Sequence, residues 1–174
     1  MLLLEVITVF LIAVAMAMAL SHALEFPGKM RLTKAAYFAT QGIYYPGFTI
    51  GGGFGEGLGL IATVVLLLRM PSGSPAFWWT FAGLIALAAM HAIFWTLTQP
   101  VNKYWLSGIA LPNAAQRFFS INQEGRPAPV DNDDGEQWKQ LRNRWEYSHI
   151  IRAVLASISL ISLTVAVAIY ERSK

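Results

Sequence analysis

Residues 137–152 read QWKQLRNRWEYSHIIR, and this basic run leads directly into the apolar segment 150–170. Its aromatic, basic and imidazole residues recur at the spacing of one face of an α-helix. That stripe consists of Trp138, Arg142, Trp145, His149 and Arg152, with Glu146 on its flank. We expect the other helices to place their few polar side chains opposite this stripe.

The composition is typical of a membrane protein. Apolar residues make up 55% of the 174 residues and charged residues only 13%, whereas about a quarter of a soluble domain is charged. Four segments reach the length of about 20 predominantly apolar residues that a transmembrane helix needs; they are residues 2–21, 48–68, 76–98 and 150–170. The sequence therefore predicts an all-α, integral membrane four-helix bundle that forms a single domain over residues 1–174.

The connections between the spans differ in character. Residues 29–47 and the first half of 99–135 mix basic or polar residues with aromatic ones, so we expect short interfacial helices in both. Residues 121–135 are polar and contain Pro127 and Pro129, which predicts a flexible insertion. Pro27 and Gly28 are expected to end the first helix.

Basic residues predict the orientation in the membrane. Ten of the 13 Lys and Arg residues lie in or beside the two long connections, against Arg69, Arg172 and Lys174 on the other side. Because cytoplasmic loops are enriched in Lys and Arg, we expect these connections to be cytoplasmic and both termini to be outside. The same rule accounts for the net charge of +3, so the lipid bilayer is the expected partner and nucleic acid is not.

Small residues predict two faces for close helix packing. Gly51, Gly55 and Gly59 recur every four residues in the second span, and Ala13, Ala17 and Ser21 do so in the first. Such spacing lets a neighbouring helix approach closely.

Alternation of the spans brings most ionisable side chains of the bundle into one leaflet. These are His22, Glu25, Glu56, His91, Glu146 and His149. Charged or imidazole side chains inside hydrocarbon are costly without partners. We therefore expect them to contact one another, the arginines of the stripe, or a metal ion.

A metal site is one interpretation of this cluster. The sequence contains no cysteine, which excludes disulfides, iron–sulfur clusters and thiolate ligands. The pair Glu146 and His149, and the reversed pair His22 and Glu25, are similar to the Glu-x-x-His ligands of di-metal helix bundles. All six residues of the cluster are then candidate ligands for iron, manganese or zinc, and haem is a less favoured cofactor.

Two interpretations need no metal. Glu56 or Glu146 could act as a base while Arg142 and Arg152 stabilise an anion formed from the substrate. Alternatively, the arginines could pair with these carboxylates only to hold the bundle together.

Four motifs carry a resemblance to a known family. They are HALEFPGKMRL at residues 22–32, Gln41 with Tyr44 and Tyr45, QPVN at 99–102 before Trp105, and RNRWEYSHIIR at 142–152. Over nearly its whole length the chain resembles the anthrone oxygenase-like family of small four-span membrane proteins. The resemblance implies oxidation of an anthrone to an anthraquinone by dioxygen, without an added organic cofactor.

Site residues follow from the resemblance by position. They are His22, Asn102, Arg142, Trp145, Glu146, His149 and Arg152. Of these, Arg142, Glu146, His149 and Arg152 are the catalytic candidates, and Asn102 and Trp145 are candidates for substrate binding, to which we add Tyr44. We expect a membrane oxidoreductase, a monooxygenase-like enzyme that acts on a lipophilic aromatic or quinol-like molecule. The rival is a non-enzymatic accessory or lipid-binding subunit of a larger membrane complex, which would dock through the glycine face of the second span. Other membrane subunits or further copies of this chain are the candidate protein partners.

Overall fold

A computed structural model describes residues 1–106, 111–119 and 135–172. Over these ranges the chain is helical and contains no strand, which confirms the predicted all-α class. The helices are α1 (Leu2–Lys29), α2 (Lys34–Gln41), α3 (Gly47–Arg69), α4 (Pro75–Ile93), α5 (Gln99–Leu106), α6 (Asn113–Phe119) and α7 (Gln137–Arg172). A 3₁₀ turn (Gly42–Tyr44) follows α2, and a π-helical segment (Phe94–Thr98) joins α4 to α5.

Four helical stretches are long and apolar enough to cross a membrane: Leu2–Lys29, Gly47–Arg69, Pro75–Leu106 and Gln137–Arg172. They contain the four predicted spans, so the protein is an integral membrane protein. The short helices α2, α5 and α6 confirm that the long connections are partly helical. The predicted insertion at 121–135 lies outside the described residues except for Gly135.

The four long helices form a ring in the order α1, α3, α4, α7. Helix α7 packs extensively on both α1 and α4, whereas α3 packs closely on α1 and only loosely on α4. Buried aliphatic side chains fill the middle of the ring, among them Ile12, Leu66, Leu87 and Leu163. About 30% of each span is buried inside the protein, so most of the apolar surface faces lipid.

The glycine face of α3 packs against α1, as predicted. A Cβ atom at Gly55 would lie 2.8 Å from the backbone nitrogen of Ala15, and one at Gly59 would lie 2.7 Å from a methyl group of Ile12. This contact therefore needs glycine. It also places the face inside the chain, where an accessory subunit could not dock on it.

The predicted small-residue face of α1 is wrong. Ala17 is exposed, whereas Ala15 and Ala19 are buried. The buried face of α1 consists of Glu5, Thr8, Ile12, Ala15, Ala19 and His22, and Lys29 at the end of the helix is also buried. The polar members decide the face, because lipid exposure of Glu5 or His22 would cost more than lipid exposure of an alanine.

Helix α1 also continues through Pro27 to Lys29, which corrects the predicted end. Proline removes one backbone hydrogen bond but does not end this helix. The N–H of Met30 donates to the carbonyl oxygens of Phe26 and Gly28 and closes the last turn. As a result, Lys29 lies two turns after His22 on the same side of α1.

Candidate functional site

A cavity of about 250 Å³ lies in the half of the bundle nearest α2, α5 and α6, which we call the loop side. Its volume is close to the lower end of the roughly 300–1,000 Å³ typical of small-molecule sites. Eight residues predicted from the sequence line it: His22, Tyr44, Glu56, His91, Asn102, Trp145, His149 and Arg152. Glu25, Arg142 and Glu146 do not line it.

An ion pair across the bundle forms the deep wall of the cavity. Nη2 of Arg152 on α7 donates to Oε1 of Glu56 on α3, and both side chains are less than a tenth exposed. The second carboxylate oxygen of Glu56 lies 3.3 Å from Nδ1 of His91 on α4. The two residues that needed partners most, Glu56 and His91, therefore contact each other.

The partners of each histidine determine where its proton lies in the neutral form. Trp95 Nε1 lies 2.9 Å from His91 Nε2, and an indole N–H can only donate. His91 therefore accepts at Nε2 and carries its proton on Nδ1, which faces Glu56.

The opposite assignment holds for His149. Nη1 of Arg152 lies 3.2 Å from His149 Nδ1, and a guanidinium can only donate. The proton of neutral His149 is therefore on Nε2. That nitrogen is buried and has no hydrogen-bond partner among the described residues, so it is a donor available to a ligand.

Lys29 is a buried cation, although the sequence placed it in the interfacial connection 29–47. Its side chain is 5% exposed, and Nζ lies 3.2 Å from His22 Nδ1, 2.9 Å from Glu25 Oε2 and 3.6 Å from Glu146 Oε1. The ammonium group donates to His22 Nδ1, so neutral His22 also carries its proton on Nε2. The sequence does place Lys29 seven residues after His22. That spacing puts both residues on one face only if the helix continues through Pro27.

Two tyrosines of the first connection hold the carboxylates around Lys29. Tyr37 Oη donates to Glu146 Oε1 at 2.9 Å, and Tyr44 Oη donates to Glu25 Oε2 at 2.6 Å. Burial and the adjacent Glu146 raise the pKa of Tyr37, and burial and the hydrogen bond to Glu25 raise that of Tyr44. Both phenols therefore stay protonated and can act as donors over the physiological pH range.

Aromatic contacts connect the deep wall to the Lys29 cluster. The rings of His22 and His149 have centroids 4.2 Å apart, and Trp145 lies 4.2 Å from His149 and 4.9 Å from His22. Trp145 Nε1 donates to Asn102 Oδ1 at 2.8 Å. Two predicted substrate-binding residues thus fix each other's orientation in the cavity wall.

Arg142 lies apart from the cavity although it is buried. Its guanidinium lies 4.9 Å from the ring centroid of Trp138 and donates to Asn143 Oδ1 at 3.2–3.3 Å. The geometry gives Arg142 a packing contact, and its catalytic role stays a prediction.

The six candidate metal ligands fall into separate groups. Within the described ranges, no three His, Asp or Glu side chains are placed to hold one metal ion. His22, Glu25 and Glu146 surround Lys29. Glu56 and His149 contact Arg152, and His91 contacts Glu56. A cation already occupies the centre of each group.

Unpaired N–H groups are a further feature of the cavity lining. Gln41 Nε2, Trp105 Nε1 and His149 Nε2 belong to lining residues, are buried, and have no hydrogen-bond partner among the described residues. Buried donors are normally satisfied. The site therefore suits a ligand that presents hydrogen-bond acceptors, such as carbonyl or phenolate oxygens.

Fold and site together define a small membrane-integral helix bundle with a ligand-sized cavity at one end, whose mostly apolar wall carries a few polar side chains. The chain belongs to the anthrone oxygenase family, whose model matches residues 46–162. The match begins just before α3 and includes Glu56, His91, Trp145, His149 and Arg152. No curated protein and no solved structure matches the chain.

Proposed function

We propose that this protein is a membrane oxidoreductase of the oxygenase kind, which oxidises a lipophilic aromatic or quinol-like molecule with dioxygen inside the cavity. Family membership supports the reaction class. The observation that carries the assignment of the site is the arrangement of Glu56, Arg152 and His149, which places a buried carboxylate and an unpaired N–H donor in one cavity wall.

The reaction balances without a further reductant. The CH₂ group of an anthrone, which lies across the central ring from the carbonyl, loses one proton to a base and leaves an anion whose charge is delocalised onto the carbonyl oxygen. That anion transfers electrons to O₂ and forms a C–O bond, and the proton returns to give a hydroperoxide. Elimination of water, which contains the second hydrogen of the CH₂ group, leaves a new carbonyl, so one O₂ is consumed and one H₂O is formed.

Glu56 is the proposed base in this reaction. It is the carboxylate that lines the cavity among the described residues, and His149 cannot accept a proton at Nδ1 while Arg152 donates to it. His149 Nε2–H and the Arg152 guanidinium then stabilise the oxyanion, which is a role suited to fixed donors in a water-poor site.

Glu146, which was also predicted to be catalytic, acts in this proposal by positioning. It accepts a hydrogen bond from Tyr37 and pairs with Lys29, and Lys29 fixes His22. Tyr44, Asn102 and Trp145 form the part of the wall that would contact substrate rings.

Oxygen uptake by proteoliposomes with a 1,8-dihydroxyanthrone substrate tests the proposal. General base catalysis contributes about 10²–10⁴-fold, so Glu56→Gln should lower kcat by that order while the control Glu136→Gln, at an exposed carboxylate, has no effect. A wild-type protein that consumes no oxygen with anthrone or quinol substrates would refute the oxygenase function, and full turnover by Glu56→Gln would remove Glu56 from the mechanism. Elemental analysis of protein purified without chelators tests the metal alternative separately.

The proposed orientation places the loop side in the cytoplasm. The asymmetry of Lys and Arg supports it. Because the chain has no cysteine, Lys34→Cys and Ser72→Cys variants can each be labelled with a membrane-impermeant maleimide on intact spheroplasts. Labelling at position 72 and protection at position 34 is the expected result, and the reverse would contradict the orientation.

A further inference from the structure

Residues of α3 and of the π-helical segment both line the cavity, and each contributes an exposed lining residue, Gly53 and Trp95. We infer that substrate enters sideways from the lipid through a slot between these two elements, so that the protein takes a flat, membrane-dissolved molecule. The inference rests on the proposed function in one respect, because it takes the cavity as the substrate site.

The contact between Glu56 and His91 fixes the register of antiparallel helices α3 and α4. One turn nearer the loop side, Gly52 and Gly53 precede Glu56 on α3, and Phe94 and Trp95 follow His91. These residues therefore lie at the same level on either side of the seam between the two helices. All of them line the cavity, and α3 and α4 as a pair pack more loosely than the other neighbours in the ring.

The exposed part of the cavity lining lies at this seam. Among the described lining residues, the exposed ones are Gly53, Trp95 and Phe118, with Trp95 47% and Phe118 40% exposed. The lining residues contributed by α7 are buried, as are Trp105 and Leu106 of α5. Gly53 lies about 9 Å along α3 from its first residue at 1.5 Å per residue. At that depth in a membrane-spanning helix the surrounding medium is lipid, so the mouth opens into the bilayer.

Helix packing accounts for Gly55 and Gly59 but not for Gly52 and Gly53. No atom in the described part of the chain lies within 4 Å of a Cβ built at Gly52 or Gly53. Glycine inside a helix is unfavourable because of its conformational freedom, so these two positions call for another reason. Their effect on shape is to leave one wall of the slot as bare backbone.

The opposite wall of the slot is aromatic. Phe94 and Phe118 are stacked at a centroid distance of 6.4 Å and an interplanar angle of 22°, and Trp95 lies 5.9 Å from Phe118. A slot with a bare wall and an aromatic wall fits a planar ring system, because aromatic pairs favour stacked or edge contacts at such distances.

The unpaired donors inside the cavity point independently to a ligand. Gln41, Trp105 and His149 are each 5% exposed or less, and their free N–H groups require acceptor oxygens. A planar aromatic molecule with carbonyl or phenolic oxygens satisfies both the slot and the donors. Such a molecule partitions into lipid, which is where the mouth opens.

The exchange rate of a ligand tests the slot. Because the chain has no cysteine, Gly53→Cys and Gly57→Cys can be labelled with a bulky maleimide after folding and reconstitution into nanodiscs. Gly57 is the matched control: it is one turn further along α3, it does not line the cavity, and no described atom lies within 4 Å of its Cβ position. The probe is menadione, whose binding is followed in stopped flow by quenching of tryptophan fluorescence.

The label at position 53 should slow both association and dissociation of menadione by about tenfold, since an obstruction on the path delays entry and exit alike. The label at position 57 should change neither rate. The inference would be overturned if the label at position 53 left the rates unchanged or weakened Kd without slowing association. It would also be overturned if both labels slowed exchange equally, or if menadione gave no saturable quenching of the wild type. Site-specific slowing without oxygen uptake would refute the proposed function alone, and oxygen uptake without slowing would refute the slot alone.

Discussion

The ion pair between Arg152 and Glu56 makes a quantitative prediction about stability. Both side chains are less than a tenth exposed, so Arg152→Met leaves a buried carboxylate with only His91 beside it. Breaking a buried pair by removing one partner costs about 3–5 kcal/mol, whereas replacing both partners by apolar residues is often neutral. We therefore expect Arg152→Met and Glu56→Leu each to cost about 3–5 kcal/mol, and the double variant to cost no more than the larger single change.

The wild type, the two single variants and the double variant form a double-mutant cycle. Their free energies of unfolding are measured by reversible unfolding in mixed micelles, in which circular dichroism follows the helicity as the SDS fraction rises. The control is the pair Lys139 and Glu136 at the start of α7, joined at 3.3 Å with side chains 49% and 76% exposed. Its coupling should be less than about 1 kcal/mol, as for exposed pairs in general. If the two buried changes were simply additive, the site would not be held together by this ion pair, and the reasoning would fail.

Packing, ionisation and tautomers give further predictions. Gly55→Leu should destabilise the bundle by about 1–3 kcal/mol through overpacking against α1, whereas Gly57→Leu should stay within about 0.5 kcal/mol; SDS titration measures both, and equal effects would contradict the packing. Burial and Glu146 raise the pKa of Tyr37, so its contribution to stability is complete below the ordinary pKa near 10 and is lost as pH rises above it. Tyr37→Phe should therefore flatten the fall in stability between about pH 9 and 11, and an unaltered profile would contradict the assignment. Nitrogen-15 NMR should find His91 protonated on Nδ1 and the other two histidines on Nε2; one common tautomer would refute the hydrogen-bond assignments.

The length of the apolar segments was enough to predict the four spans, and periodicity was enough to predict the glycine face of α3 and the burial of the stripe on α7. Each of these depends on residues within one helix, where a spacing of three or four translates directly into a face. The same logic failed for α1. There the choice between two small-residue faces depends on which side buries Glu5 and His22 inside the bundle, and local spacing does not contain that information.

Lys29 shows why the centre of the site was harder to predict. A lysine just after Pro27 at the end of a span normally extends to the interface, and this interpretation is correct for most such residues. Here α1 continues through Pro27, and Glu25, Glu146 and the rings of Tyr44 and Trp145 surround the ammonium group. Three of those four partners are distant in sequence or on other elements, so only the assembled bundle reveals them.

The two cations also decide what the histidines can do. Lys29 and Arg152 each donate to the Nδ1 atom of a neighbouring imidazole, so in the neutral state the lone pair of each ring is already used and Nε2 carries the proton. A metal ion at Nε2 would have to displace that proton next to a fixed positive charge, which raises the cost of binding. The same arrangement favours an anion, because an Nε2–H beside a cation is a strengthened donor. His22 and His149 are therefore better suited to hold a developing oxyanion than to ligate a metal or remove a proton, and the task of base passes to Glu56.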